Sequence, residues 1–198
     1  MSHQSPALSR ARMMLESQGQ FPGGALPGDI SDSWLRSLGL GLDPLARSED
    51  LVLTDTAFRA SRADHADLIH FARPELELLF DQIAGSNFMI ALGSPDGVVL
   101  DTLTDGQFAD TDAGRAVIAG SVWTEAARGT NALGLCIINR APTQIYGGEH
   151  FLRAHGDVSC ISAPIFDGRG GLAGVLDASS GSTIRQQHTA ALVQMSAS

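Results

Sequence analysis

The sequence predicts an α+β domain built on a mostly antiparallel central sheet flanked by helices, with a helical extension at the N-terminus. Three observations point there. Strand-like apolar runs occur in two pairs, at 87–103 and 158–179, each joined by a turn such as Ser94-Pro95-Asp96-Gly97 or Asp167-Gly168-Arg169-Gly170-Gly171, as in hairpins. Stretches with apolar residues at helical spacing precede, separate and follow those pairs. The 198 residues, 43% of them hydrophobic, exceed a typical domain of roughly 100–150 residues and leave room for one core plus an extension.

The elements follow in order. Leu8, Ala11, Met14 and Leu15 recur at helical spacing over 5–18, an amphipathic helix. The run 21–28, rich in glycine and proline, breaks it and reads as a flexible connector. Ser31, Asp32 and Ser33 offer caps for a second helix carrying Trp34, Leu35 and Leu38, which Gly39 to Pro44 ends. These residues, 1–50, read as a docking or dimerisation extension. From Thr54 to Gly85 the apolar spacing is helical, and Pro74 is expected to divide it, opening a new helix at 75–84. Strands follow at 87–93 and 98–103, a short helix at 112–119, a strand at 143–146 and one or two helical turns closed by Gly156. Further strands are expected at 158–166 and 171–179, then a helix from Ile184 to Met195. The expected division is 1–50 extension, 51–182 domain, and 183–198 the start of an outgoing signalling helix.

Charge and composition exclude whole classes of function. A formal charge of −9 and a pI near 4.9 disfavour a nucleic-acid surface, which needs clustered cations to displace counterions. No apolar run approaches the roughly 20 residues of a membrane helix, and the first residues lack the basic region and apolar core of a signal peptide. A cytoplasmic chain with no direct DNA contact is expected. Cys136 and Cys160 lie in apolar runs, as buried free thiols do.

The densest chemistry lies at Trp123-Thr124-Glu125-Ala126-Ala127-Arg128-Gly129-Thr130-Asn131-Ala132-Leu133-Gly134. An aromatic, an acid, an arginine and two capping residues directly precede an apolar run, which places a polar cluster at the edge of a buried element. With Trp34 and its neighbours (33–44), Tyr146 to Phe151, Ser159 to Ile165, Gly174 to Ser179 and His188 to Val193, this stretch resembles a GAF domain. More narrowly it is similar to the N-terminal sensor of sigma-54-dependent transcriptional activators such as acetoin-catabolism and dihydroxyacetone-operon regulators. The resemblance implies a GAF-like fold, an effector-sensing role without enzymatic activity, and an AAA+ ATPase and a helix-turn-helix as further parts of the parent protein. The segment itself has no G-x-x-x-x-G-K-[ST] loop.

A small organic effector, of the short-chain alcohol, ketone or diol class, needs apolar walls and a few fixed polar groups. Trp123, Phe88, Ile90 and Phe151 are candidate walls; Glu125, Thr130, Asn131 and Tyr146 are candidate hydrogen-bonding groups, and Cys160 sits on a strand whose inward face the sequence leaves open. Each has a plainer reading: Trp123 as core, Glu125 paired with Arg128 one turn away, Thr130 and Asn131 as a helix cap, Cys160 as a small buried hydrophobe, His150 facing solvent. No cofactor is expected, and no metal, since His150, His155 and Cys160 stand five apart, which fits no usual zinc spacing. Gly168 to Ala173 matches G-x-G-x-x-A but precedes a strand, so it is a hairpin turn. Two alternatives stand beside the sensor: a thiol enzyme of the free methionine sulfoxide reductase type, which the same fold supports, and a structural dimerisation module. A homodimer is expected through the N- and C-terminal helices packed on each other.

Overall fold

The computed structural model describes residues 5–46, 51–83, 87–181 and 187–198. Helix α1 (Pro6–Gln18) starts where the Ser5 hydroxyl accepts the Leu8 N–H at 3.1 Å and stops at Gly19, whose φ of 65° is left-handed. Its buried stripe of Leu8, Ala11 and Leu15 follows the helical period. Helix α2 (Gly28–Gly39) begins behind Pro27, earlier than the expected cap at Ser31 to Ser33. Ser33 therefore lies inside the helix, with its hydroxyl free for a tertiary role.

Helices α3 (Asp55–Asp64) and α4 (Ala66–Gln82) are divided at His65, and Pro74 lies inside α4, against the expectation that it opens a new helix. Pro74 and His70 are both exposed, so the His70 carbonyl that loses its partner to the proline ring faces water, and the helix tolerates the ring. The start of the last helix expected at Ile184 lies outside the described residues, as do the expected boundaries after residues 50 and 182; α9 is described as Gln187–Ser196.

Five strands, β1 (Phe88–Gly93), β2 (Val99–Thr104), β3 (Thr143–Tyr146), β4 (Ser159–Phe166) and β5 (Leu172–Ser180), form one sheet in the order β2-β1-β5-β4-β3. Every pairing is antiparallel. Between β2 and β3 lie the short helices α5 (Gly106–Ala109), α6 (Asp112–Ala116) and α7 (Glu125–Arg128), then α8 (Ala132–Asn139). The expected strands and the α+β class agree with this arrangement. The turns expected after Gly147 are two 3-10 turns, Gly147–Glu149, which is buried, and Arg153–His155, in which only His155 is buried while Arg153 and Ala154 are exposed.

Strand residues alternate between two faces. One face carries Phe88, Ile90, Leu92, Ile161, Ala163, Leu176 and Ala178 against Leu76 and Leu79 of α4 and Val193 of α9. The other carries Met89, Ala91, Ile145, Cys160 and Val175 against α8, Trp123, Phe151 and the N-terminal helices. Leu8, Ala11, Leu15, Ile30 and Trp34 belong to this second cluster, so the first two helices are built into the core and are not an appended arm. Helices α1 and α9 lie in different clusters, on opposite faces of the sheet; the expected packing of one on the other within a chain does not occur.

Candidate functional site

The central stretch folds as a loop, a single turn and a capped helix. The Thr124 hydroxyl caps α7 by accepting the Ala127 N–H at 3.2 Å, and Asn131 caps α8, its Oδ1 accepting the Gly134 N–H at 2.8 Å while its Nδ2 donates to the Gly129 carbonyl at 2.9 Å. Two glycines are required by space. Gly129 has φ 65° and ψ −159°, a region that only glycine occupies readily, and a Cβ there would lie 2.6 Å from that of Phe151. A Cβ on Gly134 would meet the backbone of Trp123 and Glu125 at 2.8 Å, so the Trp123 loop rests directly on α8.

Trp123 is turned inward, 7% exposed. The Arg128 guanidinium lies 4.3 Å from its ring centroid and the His155 ring 5.1 Å away at a 34° tilt, while its Nε1 donates to the Ser121 hydroxyl at 3.0 Å. Beside it, on the α8 face of the sheet, is a small cavity of about 20 Å³, room for about one water molecule. Phe108, Val117, Trp123 and Leu133 form its apolar walls; Asn131, His150, His155, Cys160, Asp177 and Ser179 bring polar atoms to it.

The polar groups are buried and unevenly satisfied. Asp177 accepts from Ser162 Oγ at 2.5 Å and Ser179 Oγ at 2.7 Å, and Ser179 Oγ also lies 3.2 Å from Cys160 Sγ. Burial pushes the Asp177 carboxyl up to about 6 despite those two donors. His150 and His155 are 1% and 3% exposed. Burial holds His150 down at about 4, and burial with the neighbouring His150, Arg128 and Arg12 holds His155 at about 3, so both rings are neutral near pH 7. His150 Nε2 and both ring nitrogens of His155 have no hydrogen-bond partner among the described residues. Buried polar atoms without partners are rare, and each calls for an explanation such as an ordered water or a bound group.

The structure brings together only part of the expected site. Trp123, Asn131 and Cys160 line the cavity. Phe88 and Ile90 pack on the opposite face of the sheet, against α4 and α9, and so are separated from it by the sheet itself. Glu125 binds neither the cavity nor Arg128: its carboxylate takes a two-point contact from Arg36, at 2.6 and 2.8 Å, and the Ser33 hydroxyl at 2.6 Å. Thr130 meets the same Ser33 hydroxyl at 2.6 Å. These two residues fasten α2 to the central stretch. Phe151 is core, edge-on to Trp34, and Tyr146 pairs through its hydroxyl with Gln144. His150, expected to face solvent, is buried because α1 and α2 cover its loop: Arg12 Nη1 donates to the His150 carbonyl at 2.6 Å and Trp34 Nε1 to the Glu149 carbonyl at 2.8 Å. His150, His155, Asp177 and Ser179 also line the cavity, and the sequence did not point to them as candidate site residues. A single signal existed, an acid at 177 between Leu176 and Ala178 in an otherwise apolar strand.

Both cysteines are free and buried. Burial, with Asp177 adding to it, raises the Cys136 thiol to about 12 and raises that of Cys160 as well, the opposite of an activated thiolate. No cluster of three His, Cys, Asp or Glu side chains able to hold a metal occurs among the described residues, and no described helix is long and apolar enough to cross a membrane.

Comparison with known proteins adds sequence and fold relatives. The family model described as MimR, N-terminal domain, matches residues 5–197. The chain is 35% identical over 151 residues to the acetoin dehydrogenase operon transcriptional activator AcoR of Bacillus subtilis, covering 76% of this chain and 25% of that protein. It is 28% identical over 151 residues to the acetoin catabolism regulatory protein of Cupriavidus necator, covering 76% of this chain and 23% of that one. The propane 2-monooxygenase operon transcriptional activator MimR of Mycolicibacterium smegmatis is 29% identical over 167 residues, 79% of this chain and 26% of its own length. The chain thus spans about a quarter of the length of these curated relatives. Among solved structures, the E. coli DhaR(N)-DhaL complex contains a chain that superposes with a TM-score of 0.79 at 17% identity, covering 86% of this chain and 59% of that one. At that identity the likeness shows the fold, which is GAF-like.

Proposed function

We propose, from the premise that this chain belongs to the MimR N-terminal domain family, that it is the effector-sensing domain of a sigma-54-dependent transcriptional activator. It binds a small neutral metabolite of the short-chain alcohol, ketone or diol class in the cavity beside Trp123. Occupancy then passes to an AAA+ ATPase and a helix-turn-helix in parts of the parent protein outside these 198 residues. The observation that carries this reading is the set of unpartnered histidine nitrogens on a largely apolar cavity wall, since apolar walls with a few fixed polar groups are what a small effector requires. The relatives' names, which refer to acetoin and to a propane 2-monooxygenase operon, support the small size of the metabolite. The raised thiols and those same names weigh against the thiol enzyme.

The cavity must grow to admit such a guest, because several heavy atoms need a multiple of the roughly 30 Å³ share of one water. The wall best able to yield is the one made by α5 and α6, helices of 4 and 5 residues in which Phe108 and Gly114 are the buried residues; such thin packing opens at low cost. A guest that binds the widened form shifts the population toward it. The route outward is short: His150 lies on the loop that Arg12 of α1 and Trp34 of α2 hold by its carbonyls, so movement of the histidines displaces the N-terminal helices. A homodimer through the N- and C-terminal helices belongs to this proposal. Because their inner faces are used within the protomer, such a dimer engages outward residues such as Met13 and Met195, both exposed.

A thermal-shift screen of short alcohols, ketones and diols tests the reading. A member of the panel is expected to raise Tm, as any ligand bound to the native state must, with slowed amide exchange at 106–117. A panel with no effect on Tm would favour the structural dimerisation module.

A further inference from the structure

The two buried histidines set a condition on the guest. The Gly147 carbonyl can only accept, so its 3.0 Å contact with His150 Nδ1 places that ring's proton on Nδ1. A neutral imidazole has a single N–H, which leaves His150 Nε2 as a bare acceptor on the cavity wall without a partner among the described residues. His155, also neutral, contributes one donor and one acceptor, both unpartnered. The other polar side chains there already have partners: Asn131 has Gly129 and Gly134, and Asp177 has Ser162 and Ser179. The unmet demand of the two histidines is two acceptors and one donor. A ketone only accepts, so it answers the His155 N–H and leaves His150 Nε2 bare. A carboxylate does the same and brings a negative charge beside Asp177. A hydroxyl both donates and accepts. A water in the cavity donates in the same way, so a guest that displaces it must replace that donation.

We propose that the cavity selects guests carrying a hydroxyl donor, with His150 Nε2 as the atom that reads it, and discriminates against ketones of the same size. This rests on the effector-pocket reading and narrows its chemical class. The pairs propan-2-ol with propanone and butan-2-ol with butan-2-one differ by two hydrogens at nearly constant shape, and titration calorimetry of the 198-residue chain with each compares them directly. The alcohol is expected to bind at least about tenfold more tightly, because the ketone leaves a buried acceptor unsatisfied. In His150→Phe the preference is expected to fall to within about twofold. Should that variant not fold, nitrogen-15 NMR of the wild-type chain supplies the second reading: His150 is expected as the Nδ1–H tautomer. Equal binding, ketone preference or an Nε2–H tautomer overturns the inference and leaves the pocket standing. Binding of no member of either pair, nor of butane-2,3-diol, overturns the pocket and the inference together.

Discussion

The two faces of the sheet are made by the same strands and differ in almost every physical respect. On the α4 and α9 side, Phe88, Ile90, Leu92, Ile161, Leu176 and Ala178 pack with helix side chains in an apolar cluster. On the α8 side the neighbouring residues of β4 and β5 are Cys160, Ser162, Asp177 and Ser179, polar groups under a loop that carries two histidines with unpartnered nitrogens. Burying such groups costs free energy that an apolar repacking would avoid. The difference teaches where this domain accepts a penalty beside an open space, and the histidine nitrogens on that cavity wall are what the effector-pocket proposal builds on.

The largest effect separating the faces is on stability. Ile90→Ala, on the closed face, is expected to lower unfolding free energy by about 2–5 kcal/mol while effector affinity stays within about twofold, as urea denaturation and calorimetry measure. A tenfold loss of affinity would instead return Ile90 to the site in which the sequence placed it.

The polar face is expected to govern the acid response. His150 and His155 ordinarily titrate near 6.5 and are held at about 4 and 3, so their contribution to stability is complete above pH 6.5 and is lost as pH falls toward those values. Asp177 runs the other way: raised from 3.8 to about 6, it favours the fold below 3.8 and loses that contribution as pH rises through 6. Between pH 4 and 6 the unfolded chain binds roughly one proton more than the native one from these groups, and stability rises by about 1.4 kcal/mol per pH unit. Asp177→Asn removes the opposing group, and the slope is expected to steepen to roughly twice that value. An unchanged slope would mean that the carboxyl is not titrating from a buried position.

A smaller effect is expected at the fastening of α2. Glu125→Gln keeps the shape but loses the charge that Arg36 grips, with Arg36 itself partly exposed; about 1–2 kcal/mol of stability is expected to go. Effector affinity should change little, which distinguishes a fastening residue from a ligand contact.

Much of the fold was legible because local chemistry and tertiary structure agree. Asn131, read as a cap, does cap the helix it precedes, and the two turns join the strands the apolar runs marked. The site was less legible for a definite reason. Strand β1 is apolar at Phe88, Met89, Ile90, Ala91 and Leu92 and buried along its whole length, so no period-two contrast tells which residues look toward the cavity. His150 and His155 lie in a segment bounded by glycines, which reads as exposed; only the long-range grip of Arg12 and Trp34 buries it, and no local pattern encodes that. Pro74 misled for the complementary reason, since proline's disruption of a helix depends on whether the freed carbonyl meets water.

The account's central claim is that the effector binds on the polar face, between that face and the Trp123 loop. Intermolecular NOEs between a bound short-chain alcohol and the methyl and aromatic protons of the chain measure this directly. Contacts to Trp123, Leu133 and Val158 are predicted. Contacts to Ile90 and Leu176, with none to Trp123, would place the ligand on the other face and contradict the account.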